Sequence, residues 1–430
     1  TLPEKSSVED TNNPNLRFLY NMISLTKPPS QPAIREERDI GNLVFFAPIA
    51  SYPARHGGAI RSLRLFEEIA RKTRARSTLI GANFSLYIDG QARFFQDRPI
   101  RQRGRMEGAA RSLVFRDHYL KAKQMNSSIV QEFLREVARL QPSVVLMSYL
   151  YSASLLPYLR NQRVFIDTHN NDWEWFENLR QATSNPLKRT ICNNSLRHTN
   201  RYMEELSSHT GLIHVSNRDK KAYQKYRPDL RHLVVPNGCD VKPRKVRPNY
   251  ETRPVRLLFV GSLSSKMNID ALEHFGKVYW PHLNGISQLT VAGSKPTKAV
   301  ASLCSNWHWS LKSNVPDEEL EDLYADAHYA ILPFPYGCGS KLKLAEACAR
   351  GLPVLSTGPG ATGVETQLPV NVRVTDRPEE WAQAIRESQF TTELEKEGLK
   401  FAYLYSWELA ASTLLDNVRM SLDKAGEASV

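Results

Sequence analysis

Residues 257–275 read LLFVGSLSSKMNIDALEHF, and this stretch decides the fold. It contains most of an apolar run, Val255–Val260, then small residues from Gly261 onward, then most of a segment with apolar residues at helical spacing, Ile269–Val278. A short, continuous apolar run is typical of a strand that is buried on both faces of a parallel sheet. The stretch therefore predicts the strand, loop and helix that open an α/β unit.

The same alternation extends on both sides of this stretch. Further strands are predicted downstream at Gln288–Ala292, His308–Leu311, Tyr329–Leu332 and Pro353–Ser356, and upstream at Leu43–Ala47, Ser77–Gly81, Ser143–Ser148, Val164–Asp167, Gly211–Val215 and Leu233–Val235. Helices are predicted at Ile60–Thr73, Ile129–Leu140, Asn194–Ser207, Asp317–Ala325 and Leu342–Ala349. Alternation of strands and helices indicates mainly parallel sheets.

Two domains are expected from the 430 residues, because single cores rarely grow to that size. A polar, proline-rich stretch, Asp240–Pro254, reads as the linker between residues 39–240 and residues 241–405. Residues 1–38 read as an N-terminal extension, and residues 406–430 as a C-terminal helical segment. The Arg- and aromatic-rich segment 84–125 fits the alternation poorly and is interpreted as an insertion lying over the first domain.

Charge and cysteine content narrow the class of protein. The 57 Lys and Arg exceed the 45 Asp and Glu by 12, which suits phosphate-bearing partners. The five scattered cysteines favour neither a disulfide framework nor a zinc site and are compatible with a reducing cytoplasm. The first residues do not read as a secretory signal, and no apolar run approaches the roughly 20 residues of a membrane span. A cytoplasmic location is expected, with peripheral contact to the inner face of a membrane left open.

Three glycine-bearing segments lie where strands run into helices, the positions at which parallel sheets bind phosphates. They are Gly57-Gly58, Gly261–Lys266, and Gly337–Ala347 with Gly339, Ser340, Lys341, Leu342 and Glu346. Each has an ordinary alternative, since Gly57-Gly58 could be a simple turn, the lysines solvated, and Glu346 a helix-surface acid. The last two segments fall in one domain, so their loops could converge on one diphosphate.

The C-terminal half resembles the retaining glycosyltransferases of family 4, which have the GT-B fold of two facing Rossmann-like domains with a last helix crossing back to the first. The motifs that carry the resemblance are VVPNGCD (234–240), LLFVGSLSSKMNIDALEHF (257–275), LTVAGSKP (289–296), VPDEELEDLYADAHYAILPF (315–334), GCGSKLKLAEACARGLPVLSTGPGATGV (337–364) and YSWE (405–408). The N-terminal half matches more loosely, through the Gly57-Gly58 loop, DTHN (167–170) and HVSNRDKKAYQ (214–224).

The resemblance implies roles for individual residues. Glu346 matches the second glutamate of the family's glutamate pair, which binds the donor ribose, and Lys266 matches the lysine on the diphosphate. Gly57 and Gly58 match the glycine loop beside the phosphates and the reaction centre. His169 lies where a histidine often faces the donor sugar, although it could also be a histidine satisfied by backbone partners at a strand end. Donor contacts are further expected from Gly261, Ser262, Gly339, Ser340, Lys341 and Leu342. His169, Lys266 and Lys341 are the candidate catalytic residues.

Two departures from the family pattern bear on the donor. Cys338 stands where the first glutamate is expected, and Ser262 replaces an arginine. Lys341 or Lys343 could restore the charge, and the resulting GxGxKxK pattern resembles a subgroup of family 4. The departures put the identity of the donor sugar in question more than nucleotide binding.

The function expected from this resemblance is hexosyl transfer from a UDP- or GDP-sugar to an acceptor hydroxyl, with retention and without a metal or other cofactor. The acceptor is left open between a glycan, a natural product and a lipid-linked sugar. Alternatives are a sugar phosphorylase, a nucleotide-sugar epimerase, and an inactive nucleotide-binding homologue. The Arg-rich segment 93–123 could be a solvated surface, a contact for a phosphate or carboxylate on the acceptor, a contact with an anionic membrane or, on weaker grounds, a nucleic-acid-binding surface. No nucleic-acid module is visible, so no nucleic-acid partner is expected.

Overall fold

The computed structural model describes residues 40–427 except 55–56, 74, 98–102, 160, 245, 247, 337–341, 363, 365–366 and 388–391. The expected N-terminal extension, 1–38, lies outside the described residues. Residues Ile40–Val430 cluster as one compact unit, so the contacts between its two sheets can be described together.

The first sheet has the strand order β4-β3-β2-β1-β5-β6-β7-β8. Its strands are β1 (Leu43–Phe46), β2 (Ser77–Ile80), β3 (Phe84–Asp89), β4 (Ala92–Asp97), β5 (Val144–Ser148), β6 (Arg163–Asp167), β7 (Gly211–His214) and β8 (Arg231–Val234). The pairs β2–β3 and β3–β4 are antiparallel, and the remaining pairs are parallel. Alternate residues of β1 enter different cores, Leu43 and Phe45 on one face and Val44 and Phe46 on the other, which explains its continuous apolar run.

The helices that accompany this sheet follow the predicted alternation. They are α1 (Gly57–Lys72), α2 (Arg105–Val114), α3 (Tyr119–Gln124), α4 (Ser127–Leu140), α5 (Asp172–Gln181), α6 (Pro186–Glu205) and α7 (Asn217–Gln224), with a 3₁₀ helix at Leu150–Tyr158. The interpretation of 84–125 as a layer over the domain is wrong for its first half, because β3 and β4 form a hairpin that extends the sheet at its edge. This hairpin could not be predicted from the sequence, because β4 is exposed along its whole length and has no alternating apolar face.

The second sheet has the order β11-β10-β9-β12-β13-β14, and all of its pairs are parallel. Its strands are β9 (Val255–Val260), β10 (Ser287–Gly293), β11 (Ser310–Ser313), β12 (Tyr329–Leu332), β13 (Val354–Ser356) and β14 (Val372–Val374). Its helices are α8 (Lys266–His274), α9 (Trp280–Leu283), α10 (Lys298–Trp307), α11 (Asp317–Asp326), α12 (Leu342–Cys348), α13 (Pro378–Arg386) and α14 (Thr392–Leu404), with a π-helical turn at Phe275–Tyr279 and a 3₁₀ turn at Pro359–Ala361. The sequence analysis missed β14, which is three residues long with two exposed.

The last helix, α15 (Trp407–Glu427), returns to the first sheet. Its buried face, which includes Trp407, Ala411 and Leu414, belongs to the same core as Leu43 and Phe45. The crossing is fixed where the Cys239 amide donates to the Tyr405 carbonyl over 2.7 Å. The expected architecture of two α/β layers with a returning C-terminal helix is confirmed.

Among the described residues, no helix combines the length and apolarity that a membrane crossing requires.

Candidate donor-binding cleft

The starts of α1 and α12 meet between the two sheets. Helix α1 follows β1 and α12 follows β12, so both begin beyond the carboxyl ends of central strands, where parallel sheets bind ligands. A Cβ placed on Gly57 would lie 3.6 Å from Leu342 Cδ1, an ordinary van der Waals distance. Gly57 and Gly58 were expected in a loop, but they form the first residues of α1. The structure thus brings together two of the three glycine-bearing segments at one place.

Two unusual backbone conformations lie beside Gly58. Tyr149 follows β5 with φ of 67°, and His169 follows β6 with φ of 61°, both in the left-handed region. Their rings stack flat, with centroids 4.2 Å apart and an interplanar angle of 2°. A Cβ on Gly58 would lie 2.7 Å from the Tyr149 hydroxyl and 3.6 Å from His169 Nδ1. Strained backbone of this kind tends to persist at functional sites, since the surrounding fold must hold it in place.

A buried ion pair between Arg61 and Asp167 lies next to His169. Arg61 on α1 donates to both carboxylate oxygens of Asp167, through Nε at 2.7 Å and Nη2 at 3.1 Å. The same guanidinium donates to the carbonyls of Val235 and Pro236, which tie α1 to the end of β8. His169 Nε2 lies 3.3 Å from Asp167 Oδ2. Burial alone would raise the pKa of Asp167, but Arg61 and then His169 outweigh it, so that the pKa is lowered.

On the second sheet, Lys343 reaches across to the end of β9. Its Nζ lies 3.2 Å from Asn268 Oδ1 and would lie 2.7 Å from a Cβ on Gly261. Asn268 in turn donates to the Ser262 carbonyl over 2.8 Å, while Ser262 Oγ lies 3.3 Å from Ser264 Oγ. A lysine from α12 therefore occupies the turn that follows β9. Of the two lysines that could restore the missing charge, Lys343 is the one the structure describes, and its ammonium lies beside Gly261, the residue before Ser262.

Lys266, the first residue of α8, points into solvent. Its side chain is 83% exposed, and Nζ lies 2.5 Å from Asp270 Oδ1. The hydrogen bond to Asp270 raises the pKa of Lys266, so the side chain stays cationic. Tyr336, at the end of the loop after β12, donates to the other oxygen of Asp270 over 2.5 Å.

Glu346 is half-buried on α12, one turn beyond Leu342. Burial, and secondly the nearby Glu346 carboxylate, raise the pKa of Cys239 to about 12, which places Glu346 beside the crossover between the domains. Its carbonyl accepts from Arg350 Nη1 over 2.9 Å, and Arg350 is paired with Glu321. The remaining predicted contacts of this segment, Gly339, Ser340 and Lys341, lie outside the described residues.

The sequence analysis did not select Arg61, Tyr149 or Asn268 as site residues. Arg61 had a detectable signal, since it is an arginine on the apolar face of a helix that begins with two glycines. Tyr149 and Asn268 had no such signal in the sequence, because their place in the site depends on contacts with residues far away along the chain. In the Arg-rich segment, Arg103 donates to the carbonyls of Ala122 and Met125 and so holds α3 in place rather than facing a ligand. Among the described residues, no cluster of His, Cys, Asp and Glu is arranged to hold a metal.

The chain is similar to one family model and to several solved structures. Residues 254–388 match the family model described as glycosyl transferases group 1. The fold is similar to that of sucrose-phosphate synthase from Thermosynechococcus elongatus, with a TM-score of 0.64 and 15% identity over 89% of this chain and 100% of that one. It is also similar to HepE from Anabaena in complex with UDP, with a TM-score of 0.57 and 13% identity over 88% of this chain and 99% of that one.

A third similar structure is WaaG, a glycosyltransferase involved in lipopolysaccharide biosynthesis, with a TM-score of 0.57 and 14% identity over 87% of this chain and 99% of that one. No curated protein sequence matches the chain. The GT-B fold is therefore confirmed for the chain, and its second domain is matched by the glycosyl transferases group 1 model.

Proposed function

We propose that the protein transfers a sugar from a nucleoside-diphosphate sugar to an acceptor hydroxyl, in the manner of the family 4 enzymes. The observation that carries the proposal is the meeting of α1 and α12 at Gly57 and Leu342, inside a fold shared with glycosyltransferases. The match of residues 254–388 to a glycosyltransferase model supports placing the donor in the second domain.

The donor is a UDP- or GDP-sugar in this proposal. Glu346 would accept hydrogen bonds from the ribose hydroxyls, and Gly261 and Ser262 would line the diphosphate. Lys343 already lies beside that turn, and Lys266 would join it after leaving Asp270. Lys341, Gly339, Ser340 and the Leu342 amide complete the proposed donor contacts.

Catalysis then rests on stabilising the departing diphosphate. Cleavage of the sugar–phosphate bond leaves negative charge on the leaving oxygen, which fixed cations and amide donors can stabilise without reorganisation. Lysines 266, 341 and 343 supply that charge in the proposed mechanism. His169 would contact the donor sugar, held by Asp167 and Tyr149. Closure of the two domains would keep water, which competes with the acceptor, away from the sugar.

A panel of nucleotide sugars tests the proposal, because a ligand that binds the native state raises the midpoint of thermal unfolding. We expect one UDP- or GDP-sugar to stabilise the protein and to be consumed when acceptors are supplied. Proton NMR of the product would report whether the anomeric configuration is retained. Consumption only with inorganic phosphate would instead indicate a phosphorylase, and isomerisation of the donor an epimerase. Binding without turnover on any acceptor would indicate an inactive homologue.

The acceptor side belongs to the first domain in this proposal. Helix α2 exposes Met106 and Val114, and Phe115 follows it, beside the partly basic surface of Arg105 and Arg111. Such a surface suits contact with an anionic membrane that carries a lipid-linked acceptor. Co-sedimentation with anionic vesicles, compared with neutral vesicles, tests this contact, and equal sedimentation with both would leave a glycan or a natural product as the acceptor.

A further inference from the structure

The N-terminus of α1 has the properties of an anion site. The helix is 16 residues long, and its first turn contains no acidic residue. The first amide groups of a helix have no intrahelical acceptor, and the helix dipole adds partial positive charge there. Neither Gly57 nor Gly58 carries a side chain that would cover these amides.

A second, independent feature points to a ligand at the same place. Tyr149 is only 7% exposed, and its hydroxyl is directed at Gly58. Among the described residues, this hydroxyl has no hydrogen-bond partner. Neighbouring buried tyrosines differ, since Tyr151 donates to Gln124 and Tyr223 donates to the Asn170 carbonyl. Although the ring is buried, the hydroxyl oxygen is not among the fully buried unpaired atoms of the described residues, so it stays accessible and can donate to a ligand beside Gly58.

The hydroxyl is also held in place and kept in its donor form. The Tyr149 ring is stacked between His169, at a centroid distance of 4.2 Å, and Tyr151, at 5.5 Å. Burial, and then the carboxylates of Asp167 and Asp172, raise the pKa of Tyr149 well above its ordinary value. The group facing Gly58 is therefore an orientated, protonated hydroxyl, and such preorganised donors are effective at binding developing or permanent negative charge.

We propose that the Tyr149 hydroxyl donates a hydrogen bond to a phosphate oxygen of the donor diphosphate, bound at the start of α1. This inference rests on the proposed function and adds Tyr149 to the donor contacts that Gly57, Gly58 and His169 of the first domain are already expected to make. A phosphate fits better than a neutral hydroxyl because the helix amides and Tyr149 are donors. The positive charge of Arg61 is not needed for this contact, because its guanidinium is paired with the Asp167 carboxylate.

The test compares wild type with Tyr149→Phe, which keeps the ring and its stack on His169. Binding of the nucleoside diphosphate and of the matching monophosphate is measured by titration calorimetry, using whichever of uridine and guanosine nucleotides wild type binds. We expect Tyr149→Phe to weaken the diphosphate roughly ten- to a hundredfold, the range for a hydrogen bond to a charged group, and to leave the monophosphate unchanged. Tyr151→Phe, whose hydroxyl faces Gln124, is the matched control and should leave both affinities unchanged.

The outcomes separate this contact from the proposed function. If wild type binds the diphosphate and Tyr149→Phe binds it equally well, the contact is overturned and the proposed function stands. A loss confined to the nucleotide sugar, with the diphosphate unaffected, would assign the hydroxyl to the sugar and also overturn the contact. If wild type binds no nucleotide, the proposed function fails together with the inference.

Discussion

Arg61 and Asp167 form a two-point ion pair that is almost wholly buried, with side-chain exposures of 1% and 3%. The pair joins the first turns of α1 to the end of β6, two residues before His169. Its five donors and two acceptors are used within the chain, which makes it a structural support for the cleft rather than a ligand contact. The same pair fixes the distance between Gly58 and His169.

Replacing Arg61 with methionine should strongly destabilise the protein, because it leaves the Asp167 carboxylate buried without its partner. The expected loss in the free energy of unfolding is about 3–5 kcal/mol. Arg71→Met is the control, since Arg71 pairs with Glu68 at an exposed site where the loss should be under about 1 kcal/mol. Urea denaturation of both variants at pH 7 measures the difference. Equal effects at the two sites would show that the buried pair does not support the fold.

How much of the fold and of the candidate site could be predicted depends on how far apart in sequence the contacting residues lie. The buried strands and Leu342–Cys348 could be predicted from local apolar runs and glycines, because those patterns report burial directly. The hairpin of β3 and β4 could not, since it is an edge whose second strand is wholly exposed. Tyr149 follows a strand like many other tyrosines, and only its approach to Gly58, ninety-one positions earlier, distinguishes it. The sequence left Lys343 as one of two lysines that could restore the missing charge, and only the structure shows that its ammonium lies beside Gly261.

Gly58 should tolerate a methyl group only when the Tyr149 hydroxyl is absent. A Cβ at residue 58 would lie 2.7 Å from that hydroxyl but 3.7 Å from Tyr149 Cζ and 3.6 Å from His169 Nδ1. We therefore expect Gly58→Ala to lower the midpoint of thermal unfolding, and Tyr149→Phe to reverse most of that loss in the double variant. The two effects should couple by about 0.5–3 kcal/mol, as contacting residues do. Simple additivity in this double-mutant cycle would contradict the contact.

Removing the Glu346 carboxylate should weaken donor binding. Glu346→Ala is expected to cost roughly 1.5–3 kcal/mol in affinity for the nucleotide sugar, the scale of hydrogen bonds to a charged group. Glu251→Ala, at an exposed position before β9, is the control for the loss of one negative charge. Calorimetric titration of the folded variants measures both affinities. Unchanged binding in Glu346→Ala would show that Glu346 does not contact the donor and is only an acidic residue on the helix surface.

Turnover should survive chelation of divalent metals, because lysines are proposed to neutralise the diphosphate. Lys343 is already beside Gly261, and Lys266 is cationic on the neighbouring helix. We expect the rate of donor consumption to be the same with and without EDTA. Lys343→Met should lower that rate in both conditions. Loss of activity in EDTA that Mg²⁺ or Mn²⁺ restores would show that a metal takes part.

Asp172, the first residue of α5, should make the stability of the protein depend on pH. It is 3% exposed, its Oδ2 has no hydrogen-bond partner among the described residues, and its neighbours include Tyr149, Tyr151 and Tyr223. Burial raises the pKa of Asp172 to about 7, whereas an unfolded chain would show about 3.9. The folded state therefore binds this proton more tightly than the unfolded state. Its contribution to stability is complete below about pH 4 and is lost as the pH rises to about 7.

Asp172→Asn removes this dependence, because the amide stays neutral throughout that range. Relative to wild type, the variant should gain stability progressively between about pH 4 and pH 7, by about 1.4 kcal/mol for each unit of pKa difference, with no further gain above pH 7. Asp89→Asn, which removes an exposed carboxylate paired with Arg76, should show no such trend. Thermal unfolding of the three proteins at matched ionic strength measures the difference. A gain that is constant across the pH range would mean that Asp172 is ionised in the folded state throughout, and would contradict the raised pKa.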